Sequence, residues 1–392
     1  MTRELLVAGG GIAGLAAALA ARRAGWEARL FEQAETFSEV GAGIQLGPNV
    51  TRILREWKLL QGTLAQQAWR PPHLRARDGI DGRQLASLAF ADIERRYGAP
   101  YLTLHRADLQ AALLAAAQEG GVRLHSGRKL LEVADAGTGV RVRTDAGPEV
   151  EAEALVGADG LWSTVRAAVC GAAPPQPTGD LAYRGLVARA DLPPGLRGPD
   201  VTVWLAPRMH LVSYPVRGGD WVNVVCVVEG RVAGDPRGWD EAAVASELES
   251  AVGTIAAEAR DLLRAVPAWS LWVLHDRPPV TRAEDLARGR IALLGDAAHP
   301  LRPYLAQGAG MAIEDARELE RVLAVADERV LDVPTALRRY ALSRWQRVAE
   351  VQRRSRANGA IFHATGPARW GRNLLLRAQG ARLLDQPWLY GA

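Results

Sequence analysis

Three glycines, Gly9, Gly11 and Gly14, stand between the apolar run Glu4-Leu-Leu-Val-Ala and the alanine-rich stretch Ile12 to Arg23. Each has a physical task in that setting. Gly9 permits a tight turn, Gly11 lets a pyrophosphate approach the backbone, and Gly14 lets helix and strand pack closely. The start of the helix adds free amides and positive dipole for phosphate. Glu32 lies 18 residues past Gly14, at the end of a second strand, where its carboxylate can accept from a ribose. The set points to dinucleotide binding and leaves FAD and NAD open. The alternative is a plain tight turn.

A second set lies on the alternating stretch Met209–Val216, where His210, Val212 and Tyr214 share one face. A buried His and Tyr need hydrogen-bond partners, and a phenolic substrate would provide one. His is the natural base for a phenol at neutral pH. Deprotonation enriches the ortho and para carbons, which is what an electrophilic oxidant attacks. The alternative is that both residues satisfy sheet neighbours or face solvent.

The elements that must position these residues fall into two styles. The opening Glu4–Ala8, Ile12–Arg23, Glu27–Glu32 is a strand–turn–helix–strand unit, closed at the helix end by Gly25. Helical segments follow near Asn49–Trp57 and over Arg106–Glu119, then short strands at 122–125, 129–134, 140–144 and 154–157. The run Ala172 to Gly179 is proline-rich and reads as a crossover. From Val201 to Val228 alternation takes over, with turn chemistry at Ala206-Pro-Arg208 and Arg217-Gly-Gly-Asp220. A polar helix is read from Asp240 to Val266, a strand at 290–295, and helices over 309–325 and 335–356.

Two further stretches bear on the cofactor: Val156-Gly-Ala-Asp159-Gly160-Leu-Trp-Ser163-Thr-Val-Arg166, and Gly295-Asp296-Ala-Ala-His299-Pro300, continued through Pro303-Tyr304, Gln307-Gly308-Ala-Gly310 and Glu314-Asp315. With these in the same order and approximate spacing, the chain resembles the class A flavoprotein aromatic hydroxylases, the family of p-hydroxybenzoate hydroxylase. Gly41-Ala-Gly-Ile-Gln-Leu-Gly-Pro48-Asn49 and His210–Tyr214 bring it nearest to the salicylate, 3-hydroxybenzoate and 6-hydroxynicotinate hydroxylases. The resemblance implies an α/β fold: a Rossmann-like FAD-binding domain of glutathione-reductase type, an inserted antiparallel-sheet substrate domain and C-terminal helices. The expected division is 1–70, 98–175 and 270–334 for FAD, 71–97 and 176–269 for substrate, and 335–392 as a C-terminal helical segment.

It implies further that FAD is bound and that NADH or NADPH is a transient co-substrate. An oxygen atom would pass from a flavin C4a-hydroperoxide to a phenolic or hydroxy-heteroaromatic acid. Asp296, between strand and helix, can accept from a ribityl hydroxyl or cap the helix. The amides after Gln307 can face a flavin carbonyl edge or a phosphate, and Gly308 and Gly310 let the ring approach. The family assigns the Asp159 stretch to FAD, and Arg106 in His105-Arg106-Ala-Asp108-Leu109 also contacts it; otherwise Arg106 is a surface cation. Pro303 falls where the family keeps a proline whose carbonyl faces the reacting flavin atom. The 6-hydroxynicotinate type has a similar His-x-x-x-Tyr, with the His as base. Gln45 and Tyr304 are further pocket candidates, although that type carries a His at the position of Gln45. Arg184 and Arg302 could clamp a carboxylate, or be structural cations. His299 reads as structural, and Trp204 and Trp272 as packing or pocket wall. No second glycine fingerprint follows a strand, so NAD(P)H docks without its own Rossmann domain. Two other readings stay open: a tailoring oxygenase of a larger natural product, and a flavin oxidase or dehydrogenase.

Composition narrows the alternatives. The 392 residues are 48% hydrophobic and 23% charged, which excludes wholesale disorder. The two cysteines, Cys170 and Cys226, cannot build a disulfide scaffold or a cysteine zinc site, and no metal is expected. The net charge of +4 comes from dispersed arginines rather than a basic stripe, so nucleic acid is not an expected partner. The apolar stretch Ile12–Ala21 is too short to span a bilayer. A cytoplasmic monomer or homodimer acting on a small aromatic substrate and O₂ is the expectation.

Overall fold

The structure, a computed structural model, describes residues 3–37, 42–171, 173–230, 241–243, 245–327 and 331–391, with the backbone alone for 241–243. Its residues cluster into two units. The first comprises Met1–Val40, Leu109–Gln176 and Asp276–Ser355; the second comprises Gly41–Asp108, Pro177–His275 and Arg356–Ala392.

The first unit is built on a six-stranded sheet. Its parallel strands Arg123–His125, Glu27–Phe31, Glu4–Ala8, Ala154–Gly157 and Ile291–Leu293 lie in that order, and the short Ala287–Arg288 adds an antiparallel edge. Leu5, Leu6, Val7, Leu155 and Val156 are wholly buried, as a parallel strand covered on both faces requires. Each such side chain contributes roughly 1.5–3 kcal/mol on burial. Helix Ile12–Arg23 is buried from Leu15 to Ala21, because its alanines let it pack closely against helix Gly308–Leu323. The Trp26 indole N–H closes that contact on the Leu323 carbonyl at 3.0 Å. Strands Leu130–Asp135, Val140–Thr144 and Val150–Ala152 form a separate three-stranded antiparallel sheet.

The second unit holds an eight-stranded sheet. Strands Trp269–Asp276, Gln176–Ala188, Trp221–Glu229, Met209–Val216, Val201–Ala206, His73–Asp78 and Gln84–Ala89 lie side by side, with Glu241–Ala243 at the outer edge. The register pairs Tyr214 with Asn223, Val212 with Val225 and His210 with Val227, and Val225 with Arg184. Directly paired residues share a face, so these lie together on one side. The other side carries Leu181, Tyr183, Met209, Leu211, Val224 and Cys226 and packs into a core with Leu248, Leu262 and Leu263. Helix Gly366–Gln379 lies over the 84–89 end of the sheet.

The mixed α/β fold, with its parallel sheet, antiparallel sheets and C-terminal helices, is the expected one. The boundaries run differently from the expected division. Residues 41–70 and 98–108 belong with the second unit because strands Gly43–Leu46 and Leu102–His105 pair with each other. The segment 335–392 is divided after Ser355. Within helix Val333–Phe362, Tyr340 and Arg344 bond into the first unit, at Leu293 and Asp315. The helix expected over 240–266 is broken: Asp240 lies outside the described residues, and Glu241–Ala243 is a strand. Helices Ala245–Val252 and Ala257–Ala265 are parted at Gly253, whose φ of +60° no helix accepts. No helix among the described residues is long and apolar enough to cross a membrane.

Candidate functional site

In the first unit, the chemistry-bearing residues follow the carboxyl ends of adjacent parallel strands. Gly9 follows Glu4–Ala8, Glu32 follows Glu27–Phe31, Asp159 follows Ala154–Gly157 and Asp296 follows Ile291–Leu293. Backbone bonds continue the ladder past the strands: Gly9 N–H to Phe31 O at 2.8 Å, Ala158 N–H to Ala8 O at 2.8 Å, and Leu294 N–H to Gly157 O at 2.9 Å. This carboxyl edge is where open α/β sheets bind ligands.

The glycine turn requires its glycines. Gly9 has φ +99°, and a Cβ there would sit 2.4 Å from the Ala158 carbonyl oxygen. A Cβ on Gly14 would sit 1.8 Å from the Gly9 oxygen. Gly11 is the N-cap of helix Ile12–Arg23, with no side-chain cap bond and no acid in the first turn. Its amides and dipole therefore suit an anion. Glu32 accepts from Gly10 N–H at 2.5 Å and from Ala34 N–H at 2.8 Å, which places its carboxylate against the turn. Gln110 adds a bond to the Gly10 carbonyl at 3.2 Å.

Asp159 is committed to its own loop. It accepts from Ser163 Oγ at 2.5 Å, Thr164 N–H at 2.7 Å and Val165 N–H at 3.2 Å. Burial nevertheless pushes its carboxyl above the usual range, outweighing those bonds. Asp296 differs. It is exposed between the buried Gly295 and Ala297, and it does not cap helix Gly308–Leu323, whose N-cap is Gln307. That 16-residue helix has neither a side-chain cap nor an acid in its first turn, and Gly308 opens onto free space. Gly310 is buried one turn in. An exposed carboxylate and uncapped amides, with a glycine cradle, fit the hydroxyls, carbonyls and phosphates of FAD.

The Asp296 loop is held from beneath by a buried network. Asp315 Oδ2 accepts from Gly295 N–H at 3.2 Å and lies 2.6 Å from His299 Nε2, and its Oδ1 accepts from Arg344 Nε at 2.8 Å. Arg344 also reaches Glu314 at 2.9 Å, which Arg347 clamps through two 2.6 Å bonds. Against the cost of burial, His299 and Arg344 hold the Asp315 carboxyl down at about 2. Arg166 donates to the Ala297 and Ala298 carbonyls at 2.9 and 2.7 Å. His299 lies within this buried network, and Arg302 pairs with Asp276 at 2.9 Å. Pro303 is half-buried in a 3₁₀ turn whose carbonyl accepts Ala306 N–H at 3.0 Å, leaving its second lone pair. Tyr304 is buried beside it.

The second unit gathers another set. Tyr214 is 4% exposed and hydrogen-bonds Gln45, which also accepts from Tyr101 Oη at 2.8 Å. Burial pushes the Tyr214 phenol up, against the nearby Arg184 charge and the Gln45 bond. The Arg184 guanidinium lies 3.8 Å from the Trp272 ring centre, within cation–π reach. Asn223, wholly buried opposite Tyr214, accepts from Gly43 N–H at 2.6 Å, while its Nδ2 has no hydrogen-bond partner among the described residues. Trp204 is a core residue.

His210 shares the face but not the cluster. Four residues from Tyr214 along an extended strand is about 13 Å. There it meets Phe362 edge-on, with ring centres 5.2 Å apart, and its Nδ1 lies 3.0 Å from His363 Nε2. Burial and His363 hold its pKa well below the ordinary value, so it is neutral at neutral pH. Arg106 also belongs to the second unit, where its N–H donates to Ala42 O at 2.8 Å and begins helix Arg106–Glu119; Gly41 lies outside the described residues. Sequence reasoning did not find Asn223, Tyr101, Gln110, Arg344 or His363. Their partners are distant in the chain, and no local spacing signals them.

The family model described as "FAD binding domain" matches residues 2–355. A 3-hydroxybenzoate 6-hydroxylase of Polaromonas naphthalenivorans is 37% identical over 392 residues, covering 99% of this chain and 95% of that protein. A 3-amino-4-hydroxybenzoate 2-monooxygenase of Streptomyces platensis is 40% identical over 390 residues, covering 99% and 96%. The crystal structure of Klebsiella pneumoniae HpxO complexed with FAD and uric acid matches with a TM-score of 0.84 over 97% of this chain and 94% of that one; at 24% identity it speaks to the fold.

Proposed function

Because the chain belongs to the FAD binding domain family, we propose that it is an FAD-dependent aromatic monooxygenase, hydroxylating a phenolic or hydroxy-heteroaromatic acid with NAD(P)H and O₂. The observation that carries this reading is the carboxyl edge of the parallel sheet. There Glu32, the glycine turn, Asp159 and the exposed Asp296 follow four neighbouring strands. When bound, the flavin would supply the electrons that activate O₂, from which the transferred oxygen atom comes.

The chain's own residues bind and orient. The amides at Gly11 take the pyrophosphate, and Glu32 takes a ribose. Asp296 accepts from the ribityl chain. Amides at Gly308 and Gly310 would hold the ring, Asp159 would act through the loop it holds, and the Pro303 carbonyl would orient the reacting edge. Arg106 contributes charge for the cofactor. On the substrate side, Tyr214, Gln45 and Asn223 Nδ2, which has no hydrogen-bond partner among the described residues, offer hydrogen bonds beside Val212 and Val225. Arg184 offers positive charge to a carboxylate, and Tyr304 is a further wall residue. His210, neutral at working pH, takes the ring-hydroxyl proton. Hydroxybenzoates are the first compounds to try, since both relatives are named for hydroxybenzoates.

The test is NADH and NADPH oxidation over a panel of hydroxybenzoates and hydroxynicotinates, under ¹⁸O₂. Oxidation should rise with one of them, and label should enter its product. Peroxide accounting for all the NAD(P)H used, with no label in any product, would establish an oxidase instead.

A further inference from the structure

Helix Gly366–Gln379, in the second unit, turns its charges inward and its large apolar side chains outward. On the inner face, Arg369 Nη2 donates to both carboxylate oxygens of Asp78 at 2.7 Å, and Asn373 donates to the same carboxylate. Arg372 is buried and directs its guanidinium to Asn373 Oδ1 at 2.9 and 3.0 Å and to the carbonyls of Ile361, Phe362 and Leu205. Leu376 packs there with Ala76, Leu85 and Leu205. On the outer face, Trp370, Leu374 and Leu375 are 74, 68 and 52% exposed. A surface helix ordinarily does the reverse. A lone exposed leucine needs no explanation, but an apolar face along a helix does.

The outer face is complementary to itself. Pro367, Gly371, Leu374 and Ala378, spaced four, three and four, run in a line along it, and all four are exposed. Trp370 flanks that line on one side and Leu375 on the other. Consider a two-fold axis level with the Arg372–Asn373 peptide. Antiparallel copies of the helix then set Leu374 against Gly371, Trp370 against Leu375 and Pro367 against Ala378, so that large side chains meet gaps. A Cβ added at Gly371 would meet nothing within 4 Å, so the space above it is open to Leu374 of a second copy. The helix has no acidic residue, and of its three arginines only Arg377 is exposed. The two Arg377 positions stand about 13 Å apart along such a pair, beyond the screening length of about 8 Å at physiological salt.

We propose that this face is a homodimer interface, in which helix Gly366–Gln379 packs antiparallel against the same helix of a second copy. The area agrees with that. A fully open large side chain offers roughly 150–250 Å², so Trp370, Leu374 and Leu375 together expose roughly 400 Å². With Pro367, Gly371 and Ala378 beside them, two copies bury roughly 1,000 Å², the lower size of a specific interface. A dimer of that size forms and parts with concentration. A lipid surface also takes apolar helix faces, but it favours helices with a basic polar face. Here two of the three arginines are held in bonds to protein instead. The inference does not depend on the functional reading above.

The test is sedimentation velocity of the full-length holoenzyme between about 1 and 100 µM, where wild type should pass from monomer to dimer. Leu374 stands nearest the two-fold axis, its two copies about 4.5 Å apart along the helices. Leu374→Glu and Leu374→Arg should each raise the dimer dissociation constant about a hundredfold or more. Both should keep the wild-type circular dichroism spectrum, because the residue is exposed. An equimolar mixture of the two variants should regain the dimer, since the introduced charges are then opposite; a merely damaged fold would not be rescued this way. Wild type that stays monomeric at about 100 µM overturns the proposal. So does a dimer that survives in both variants, or a mixture that associates no more tightly than its parts. Monomeric wild type that sediments with phosphatidylcholine–phosphatidylglycerol vesicles assigns the face to lipid and likewise overturns it.

Discussion

Replacing Asp315 by Asn removes one charge from the buried network under the Asp296 loop and changes little in shape. The magnitude follows from the carboxyl's own titration. Asp315 sits at about 2 in the folded chain against an ordinary 3.8. Just under two units at about 1.36 kcal/mol each is roughly 2–3 kcal/mol of stability at neutral pH. Breaking a buried pair outright costs roughly 3–5 kcal/mol. The smaller figure should win, because Arg344 keeps its bond to Glu314 in the variant. The sign with pH is that of a depressed carboxylate. The contribution is complete above the unfolded value and is lost as pH falls through 3.8 toward 2, with about half left near pH 3. Urea unfolding of wild type and Asp315→Asn, followed by circular dichroism at one fixed concentration of free FAD, measures the gap. Flavin absorbance per protein should fall as well, since the lost carboxylate held the Gly295 amide. A gap under about 1 kcal/mol at pH 7, or one that widens on acidification, would refute the reasoning.

Gly14→Ala should yield protein with little bound flavin, because the added carbon would stand 1.8 Å from the Gly9 oxygen and displace the turn; flavin absorbance after purification reports it. Asp296→Ala should weaken FAD binding by about tenfold or more, while unfolding stays within about 0.5 kcal/mol, since the carboxylate is exposed. Undiminished affinity in a fluorescence titration would remove Asp296 from the cofactor contacts. His210 and His363 both have lowered folded pKa values, chiefly through burial. The unfolded chain therefore binds more protons, so their contribution is complete above about pH 6.5 and is lost as pH falls below it. His210→Asn should flatten the slope of stability between about pH 6.5 and 5, and an unchanged slope would show that the pair is not neutral in the fold.

The glycine turn follows from backbone sterics over six residues, and the helix after it from an alanine-rich stretch. The alternating stretch Met209–Val216 placed His210 and Tyr214 on one face, and the register agrees. These features are encoded within one element or its immediate neighbours. The stretch 240–266 has the composition of one helix and is not one. Gly253 breaks it locally, and its polar composition masked the break.

Tertiary structure decided which of these residues act together. Strand alternation puts His210 and Tyr214 on one face, but register and the end of helix Val333–Phe362 turn His210 toward His363, 153 residues away. Tyr214 instead joins Gln45, Tyr101 and Asn223 across strands that no spacing relates. Asp315 and Arg344 meet through the packing of two helices, 29 residues apart. Chain-local patterns determine backbone conformation and which side of an element is apolar. Partnership between charged and polar groups is settled by packing, because burial selects the pairings that leave their hydrogen-bonding groups satisfied.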